Sequence, residues 1–232
     1  MKVSIFDLKF EDDFIESFKV GCEKILRSDS IGEGRYVNEF ENKFANLTNA
    51  KHAIAVTSGT AALEIALNTI GVDGKNVIMP SNTFFATSVA VTNAGGHITL
   101  VDSEIENFSI CPIHLRTKIT KNTGAVIIVH IGGIISKNIR EIKEICDQYS
   151  VPLIEDAAHA HCSNYDGLHA GTIGDIGCFS FFPTKVMTTG EGGMITTNSD
   201  SIADKVRSLK NFGRALDNSG ICVLPGRTKF QD

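Results

Sequence analysis

Short apolar runs recur through this chain, and nearly every one stops at a small, polar or acidic residue. His52-Ala-Ile-Ala-Val-Thr57 runs into Ser58-Gly59-Thr60. Val77-Ile-Met79 ends at Pro80, and Ile98-Thr-Leu-Val101 at Asp102. Ala125-Val-Ile-Ile-Val129 ends at His130 and Gly132-Gly133, and Pro152-Leu-Ile-Glu-Asp156 closes on carboxylates. These runs have the length of strands buried on both faces. Stretches with helical spacing lie between them: Ala61–Leu67, a helix opening at Asn82 and running to Ala94, Asn138–Tyr149, and Ser199–Phe212 with Ser199 or Asp200 as its cap. Strand alternating with helix through short turns predicts right-handed crossovers. The expected fold is α/β, a mostly parallel sheet sandwiched by helices. No G-x-G-x-x-G follows the first strand, so a dinucleotide fold has little support.

Two amphipathic helices precede this core. Phe10, Phe14, Phe18 and Ile25 mark a surface helix with one buried stripe over residues 10–28, and Val37, Phe40, Phe44 and Leu47 mark a second from Tyr36 to Leu47. The expected organisation is an N-terminal helical segment at 1–30, a large domain at 31–216 and an irregular tail at 217–232. At 232 residues and 42% hydrophobic, the chain can bury one large core. A net charge of -5 argues against a nucleic-acid partner. No apolar run is long enough to span a bilayer, and the first residues show no signal-peptide pattern. The six cysteines (22, 111, 146, 162, 178 and 222) are scattered without a C-x-x-C pair, which suits reduced thiols in a cytoplasm.

Chemistry concentrates at the strand ends. Ser58-Gly59-Thr60 joins a strand to a helix N-terminus. That turn is either a simple N-cap or an anion site, since free N–H groups and the helix dipole point at it. Phe84 and Phe85 follow the second strand of the sheet, on the edge where ligands bind in open α/β sheets; one of the two is expected to be plain core. Asp156 can hold a cation or a protonated ring nitrogen. Lys185 lies between the apolar run Gly177–Phe182 and the glycine turn Gly190-Glu-Gly-Gly193, where burial favours a neutral, nucleophilic amine. An anion cradle (Gly59, Thr60, Ser180), a carboxylate (Asp156), an aromatic plate (Phe84) and a lysine (Lys185) are what pyridoxal phosphate needs.

The motifs Val56-Thr-Ser-Gly-Thr-Ala-Ala-Leu63, Pro80-Ser-Asn-Thr-Phe-Phe-Ala-Thr87, Glu155-Asp-Ala-Ala-His-Ala160 and Ser180-Phe-Phe-Pro-Thr-Lys-Val-Met-Thr-Thr-Gly-Glu-Gly-Gly193 resemble the signatures of the DegT/StrS-type sugar aminotransferases, in that family's order. The resemblance covers about Ile31 to Arg214. It implies fold type I and a pyridoxal phosphate cofactor, with Lys185 as the Schiff-base lysine and Asp156 as the partner of the ring nitrogen. Gly59, Thr60 and Ser180 match phosphate contacts, Phe84 the stacking ring, and His159 a position beside the cofactor. It further implies a homodimer that moves an amino group from an amino acid, commonly glutamate, to a keto-sugar nucleotide. Lysine at 185 favours transamination over the dehydration of a branch that carries histidine there. The family's smaller C-terminal domain has no counterpart before Asp232, so the alternative is a non-catalytic member that binds a cofactor or partner.

Other readings are weaker. Asp156, His159, His161 and Cys162 suggest a metal site, but there is no second ligand cluster at zinc spacing. A sulfur-amino-acid lyase of the same fold has no motif asking for it. His130 reads as a satisfied histidine, Asp102 as a strand-end cap or hinge contact, Glu191 as a turn residue and Arg214 as solvated surface.

Overall fold

The computed structural model describes residues 8–28, 31–213, 215–216 and 222–223. The chain forms two compact units, Met1–Phe40 and Glu41–Asp232, a division ten residues beyond the boundary expected after residue 30.

The first unit holds helix α1 (Asp12–Leu26) and the opening of α2 (Arg35–Thr48). Asp12 and Asp13 in the first turn and Lys24 in the last complement the helix dipole of α1. The expected buried stripe is corrected here. Phe10, Phe14 and Phe18 stack on one another along one face (ring centroids 5.0 and 6.4 Å apart), yet all three stay exposed and α1 buries no residue. Helical spacing of apolar residues makes a stripe, but burying it needs a second layer.

The second unit is built on a seven-stranded sheet. Its strands are β1 (His52–Val56), β2 (Asn76–Pro80), β3 (His97–Val101), β4 (Thr123–Val129), β5 (Leu153–Asp156), β8 (Ile176–Ser180) and β9 (Gly193–Thr197), in the spatial order β1-β9-β8-β5-β4-β2-β3. Between β5 and β8 a small hairpin pairs β6 (Asn164–Tyr165) with β7 (Leu168–His169). β9 is antiparallel to both β8 and β1, while β3, β2, β4, β5 and β8 pair in parallel. Hence β1 runs with the parallel set and β9 alone runs against it. The helices are α3 (Gly59–Ile70), α4 (Phe85–Asn93), α5 (Pro112–Lys118), α6 (Ile139–Gln148) and α7 (Asp200–Lys210).

Local chemistry explains these boundaries. Ser58 caps α3 by accepting from Ala61 N (3.1 Å), and Gly71 ends it in the left-handed region at φ 80°. Ser199, rather than Asp200, caps α7. α4 starts three residues later than expected, because Phe84 is extended and serves as the N-cap residue. α5, absent from the sequence reading, begins with Pro112 in its first turn, where the missing N–H costs nothing. The central strand β4 is buried at all seven positions, as a parallel strand covered on both faces should be. Ile54, Leu67, Val77, Ile127, Ile154 and Ile195 are fully buried in the same core. Past residue 216, where irregular chain was expected, β11 (Cys222–Val223) pairs antiparallel with β10 (Ala215–Leu216). Arg214 lies outside the described residues.

Candidate active site

Because six of the seven strands run the same way, their carboxyl ends share one edge of the sheet, where the turns bring their side chains together. Lys185 lies in the loop between β8 and β9. This loop is tied across its base by Phe181 N to Gly192 O (2.9 Å) and Thr189 N to Phe181 O (3.1 Å). Thr188 Oγ1 donates to Phe181 O (2.8 Å), and Gly190 turns the chain at φ 82°. Lys185 N donates to Phe182 O (2.9 Å). The side chain is only partly covered, and that burial holds the amine below the ordinary lysine value while the Asp156 carboxylate opposes the shift.

The turn after β1 faces this loop. Ser58 spends its hydroxyl as the α3 cap, leaving the N–H groups of Gly59 and Thr60 in the first turn without intrahelical partners. A Cβ on Gly59 would stand 2.7 Å from Ser180 Cβ, and one on Gly193 would collide with Ser58 O. Glycine at both positions is what lets the helix N-terminus and Ser180 line one wall.

Asp156 ends β5 and is 6% exposed. Its Oδ2 accepts from Thr87 Oγ1 (2.8 Å) and its Oδ1 from Ala158 N (3.2 Å); Thr87 is itself bonded to Thr83 Oγ1 (2.8 Å). The carboxylate is therefore aimed by α4 and by its own turn. His159 Nδ1 accepts from Gly132 N (3.3 Å), and burial, with Lys185 nearby, lowers its pKa. Phe84 is 61% exposed and lies against Phe85, with ring centroids 4.2 Å apart. Neither ring is core, contrary to the expectation for one of them.

All seven residues singled out in the sequence (Gly59, Thr60, Phe84, Asp156, His159, Ser180 and Lys185) line one cavity of about 530 Å³. Glu191, read as a turn residue, lines it too, and His130 is in its wall. Sequence reasoning missed the hydrogen bonds behind the site. Thr87 was seen only as part of a motif. Glu155 is fully buried and accepts from His130 Nε2 (2.9 Å), Gly171 N (2.8 Å), Ile173 N (2.7 Å) and Gly174 N (2.6 Å). Only the adjacent Glu-Asp pair hinted at it. Of the four residues read as a possible metal site, Asp156 ends β5 and the other three follow it in turns; Cys162 sits at φ 61°, and the His161 ring packs against Phe179 and Phe181. Among the described residues no group of three His, Cys, Asp or Glu side chains is placed to hold a metal. Asp102 is not in the cavity wall; its N–H donates to His114 Nδ1 (3.0 Å).

The donor set fits pyridoxal phosphate. A helix N-terminus that only glycine allows against Ser180 suits a phosphate, an oriented carboxylate suits a protonated ring nitrogen, and a partly buried lysine suits a carbonyl carbon. Fold and site together are of the class expected for the cofactor domain of a pyridoxal phosphate protein. Residues 13–221 match the DegT/DnrJ/EryC1/StrS aminotransferase family, and the chain belongs to that family.

The GDP-perosamine synthase of Caulobacter vibrioides is 42% identical over 181 residues, which span 78% of this chain and 48% of that protein. The GDP-perosamine synthase of Vibrio cholerae is 39% identical over 78% of this chain and 49% of its own length. The chain thus spans about half the length of the curated relatives it matches. Among solved structures, the aminotransferase from Psychrobacter cryohalolentis superposes with a TM-score of 0.84 at 31% identity, covering 94% of this chain and 57% of that one. S. venezuelae DesV, solved with a ketimine intermediate, gives 0.82 at 30% identity over 87% and 55% of the two chains. Spr1654 of Streptococcus pneumoniae in its PLP form gives 0.81 at 25% identity over 90% and 58%.

Proposed function

We propose that this chain supplies the cofactor domain of a pyridoxal phosphate-dependent sugar aminotransferase. The reaction would take an amino group from an amino acid, glutamate in the first instance, and deliver it to a keto-sugar nucleotide. The observation that carries the reading is the meeting of Lys185, Asp156, the α3 N-terminus and Phe84 in one cavity. The names of the GDP-perosamine synthase relatives support a nucleotide-linked amino sugar.

The residues divide the work. Gly59 and Thr60 N–H, with Ser180 Oγ beside them, would hold the phosphate, and Phe84 would cover a ring face. Asp156, held by Thr87 and Ala158, would keep a proton on the ring nitrogen. Bound pyridoxal phosphate supplies the carbonyl carbon and the electron-withdrawing ring. Lys185 Nζ, favoured in its neutral form by burial, would bind that carbon and, once released, carry a proton to and from the reacting carbons. His159 would face the bound ligand from the turn after β5.

Apolar side chains around the site (Phe84, Phe85, Phe182 and Val186) are exposed and support a homodimer that covers them. A cytoplasmic location is part of the same reading; among the described residues no helix is long and apolar enough to cross a membrane. Neither nucleic acid nor membrane is proposed as a partner. The test is borohydride reduction of the protein with pyridoxal phosphate, followed by peptide mass mapping. A pyridoxyl group on Lys185 is expected. A folded protein with no adduct, or with the adduct on another lysine, would overturn the assignment.

A further inference from the structure

Two turns at neighbouring strand ends meet behind the cavity: Ile131–Gly133 after β4, and the turn after β5 that carries His159. We infer that the first turn fixes the protonation pattern of the second's histidine, holding neutral His159 with its proton on Nε2, so that the ring offers the cavity a hydrogen-bond donor and no acceptor.

The Gly132 N–H reaches His159 Nδ1 at 3.3 Å, and a backbone N–H can only donate. Nδ1 must therefore present its lone pair, which in a neutral imidazole leaves the proton on Nε2. The geometry behind this contact is main-chain geometry. Gly133 N donates to His130 O (3.0 Å) and Ile134 N to Ile131 O (3.0 Å). Gly132 and Gly133 sit at φ 60° and 81°, where L side chains are strained. A Cβ on Gly133 would stand 3.0 Å from both His159 O and Ser163 Oγ, so the two turns lie directly on each other.

The first turn is anchored in turn by a buried pair. His130, the residue before it, is fully buried, and its Nε2 meets Glu155 Oε2 at 2.9 Å. The three backbone N–H groups on Glu155 come from Gly171, Ile173 and Gly174, so the carboxylate sits in a ring of donors. With Oε1 and Oε2 already accepting these backbone N–H groups, His130 Nε2 is placed as one more donor to Oε2. Glu155 and His130 are thus positioning residues. They act on His159 through Gly132, and His159 is the one of the three given a ligand contact in the proposed function.

The consequence is a rule about the ligand. It must bring an acceptor oxygen to His159; an N–H or O–H donor there would face another donor. This rests on the proposed cofactor site for the ligand's identity, but not for the tautomer. Glutamine shares the needed N–H and leucine does not.

The test is long-range proton–nitrogen correlation on the 232-residue chain labelled with nitrogen-15 histidine, without cofactor, above the ordinary histidine pKa. His159 is assigned by its loss in His159→Gln. A proton on Nε2 is expected; a proton on Nδ1, or rapid averaging between the two, overturns the inference. Titration with pyridoxal phosphate gives the second arm. His159→Leu should bind about tenfold more weakly, and His159→Gln should recover most of that loss. Equal affinities for the two variants would also overturn it. Because the spectrum needs no cofactor, failure of the proposed function would leave the tautomer result standing.

Discussion

Replacing Gly59 by alanine tests whether the α3 N-terminus and Ser180 really form one wall. The new Cβ would stand 2.7 Å from Ser180 Cβ and 3.3 Å from Ser180 Cα. Ordinary contact begins near 3.4 Å, so helix and strand end must separate by about 0.7 Å. Neither obstructing atom is the end of a flexible side chain. Such overpacking costs about 1–3 kcal/mol, against which alanine's better helix propensity returns at most about 1 kcal/mol. The net expectation is a loss of about 0–3 kcal/mol in urea unfolding. Affinity for pyridoxal phosphate should fall about tenfold, because the cradle's donors no longer converge. The decisive variant is Gly59→Ala combined with Ser180→Gly, which removes the obstructing Cβ. Its stability should exceed the sum of the single effects by about 1–2 kcal/mol. Strict additivity in the four-protein cycle would mean that the two residues do not touch, and the cradle argument would fail with it.

Thr87→Val removes the hydroxyl that donates to Asp156 Oδ2 and should weaken pyridoxal phosphate binding about fivefold, read by absorbance titration. A Thr87→Ser variant should restore it. Lys185 should react with trinitrobenzenesulfonate with a midpoint below the ordinary lysine value, since burial favours the neutral amine; a midpoint at or above that value contradicts the site. His161 is held neutral down to about pH 4 by burial. The unfolded chain binds that proton near pH 6.5, so stability is complete above 6.5 and declines as pH falls toward 4, by on the order of 2–3 kcal/mol. His161→Phe should flatten this limb in urea unfolding at pH 4.5 against pH 7, and an unchanged slope would place the acid sensitivity elsewhere.

The parallel core could be read from the sequence because strands buried on both faces leave uninterrupted apolar runs, and the small residues after them mark the turns. The cavity wall could be read for the same reason, since Gly59, Asp156 and Lys185 each follow such a run. What could not be read depends on residues far apart in sequence. Thr87 reaches Asp156 across 69 positions, and His130 meets Glu155 across 25. Neither spacing has a local signature. The stripe of α1 shows the opposite failure. Phe10, Phe14 and Phe18 have the right period for burial, but period alone does not supply the surface that would bury them. α5 was missed because seven residues give too few turns for a periodic pattern to show.

The site's walls come from positions as distant as Ser58 and Lys185, delivered by successive strand ends. No single segment of the chain supplies more than a part of it. Until β8 and β9 have docked, the lysine has no phosphate cradle beside it and the carboxylate has no lysine to oppose. On the proposed reading, cofactor capture would follow the docking of these strands. Free pyridoxal phosphate is a reactive aldehyde that modifies amines at random, and a half-assembled site would have no advantage over any surface lysine. At a ligand concentration one hundred times the dissociation constant, binding adds about 2.7 kcal/mol to the folded state alone. On the proposed reading the cofactor would then also act as a clasp, favouring chains whose strand ends are already assembled.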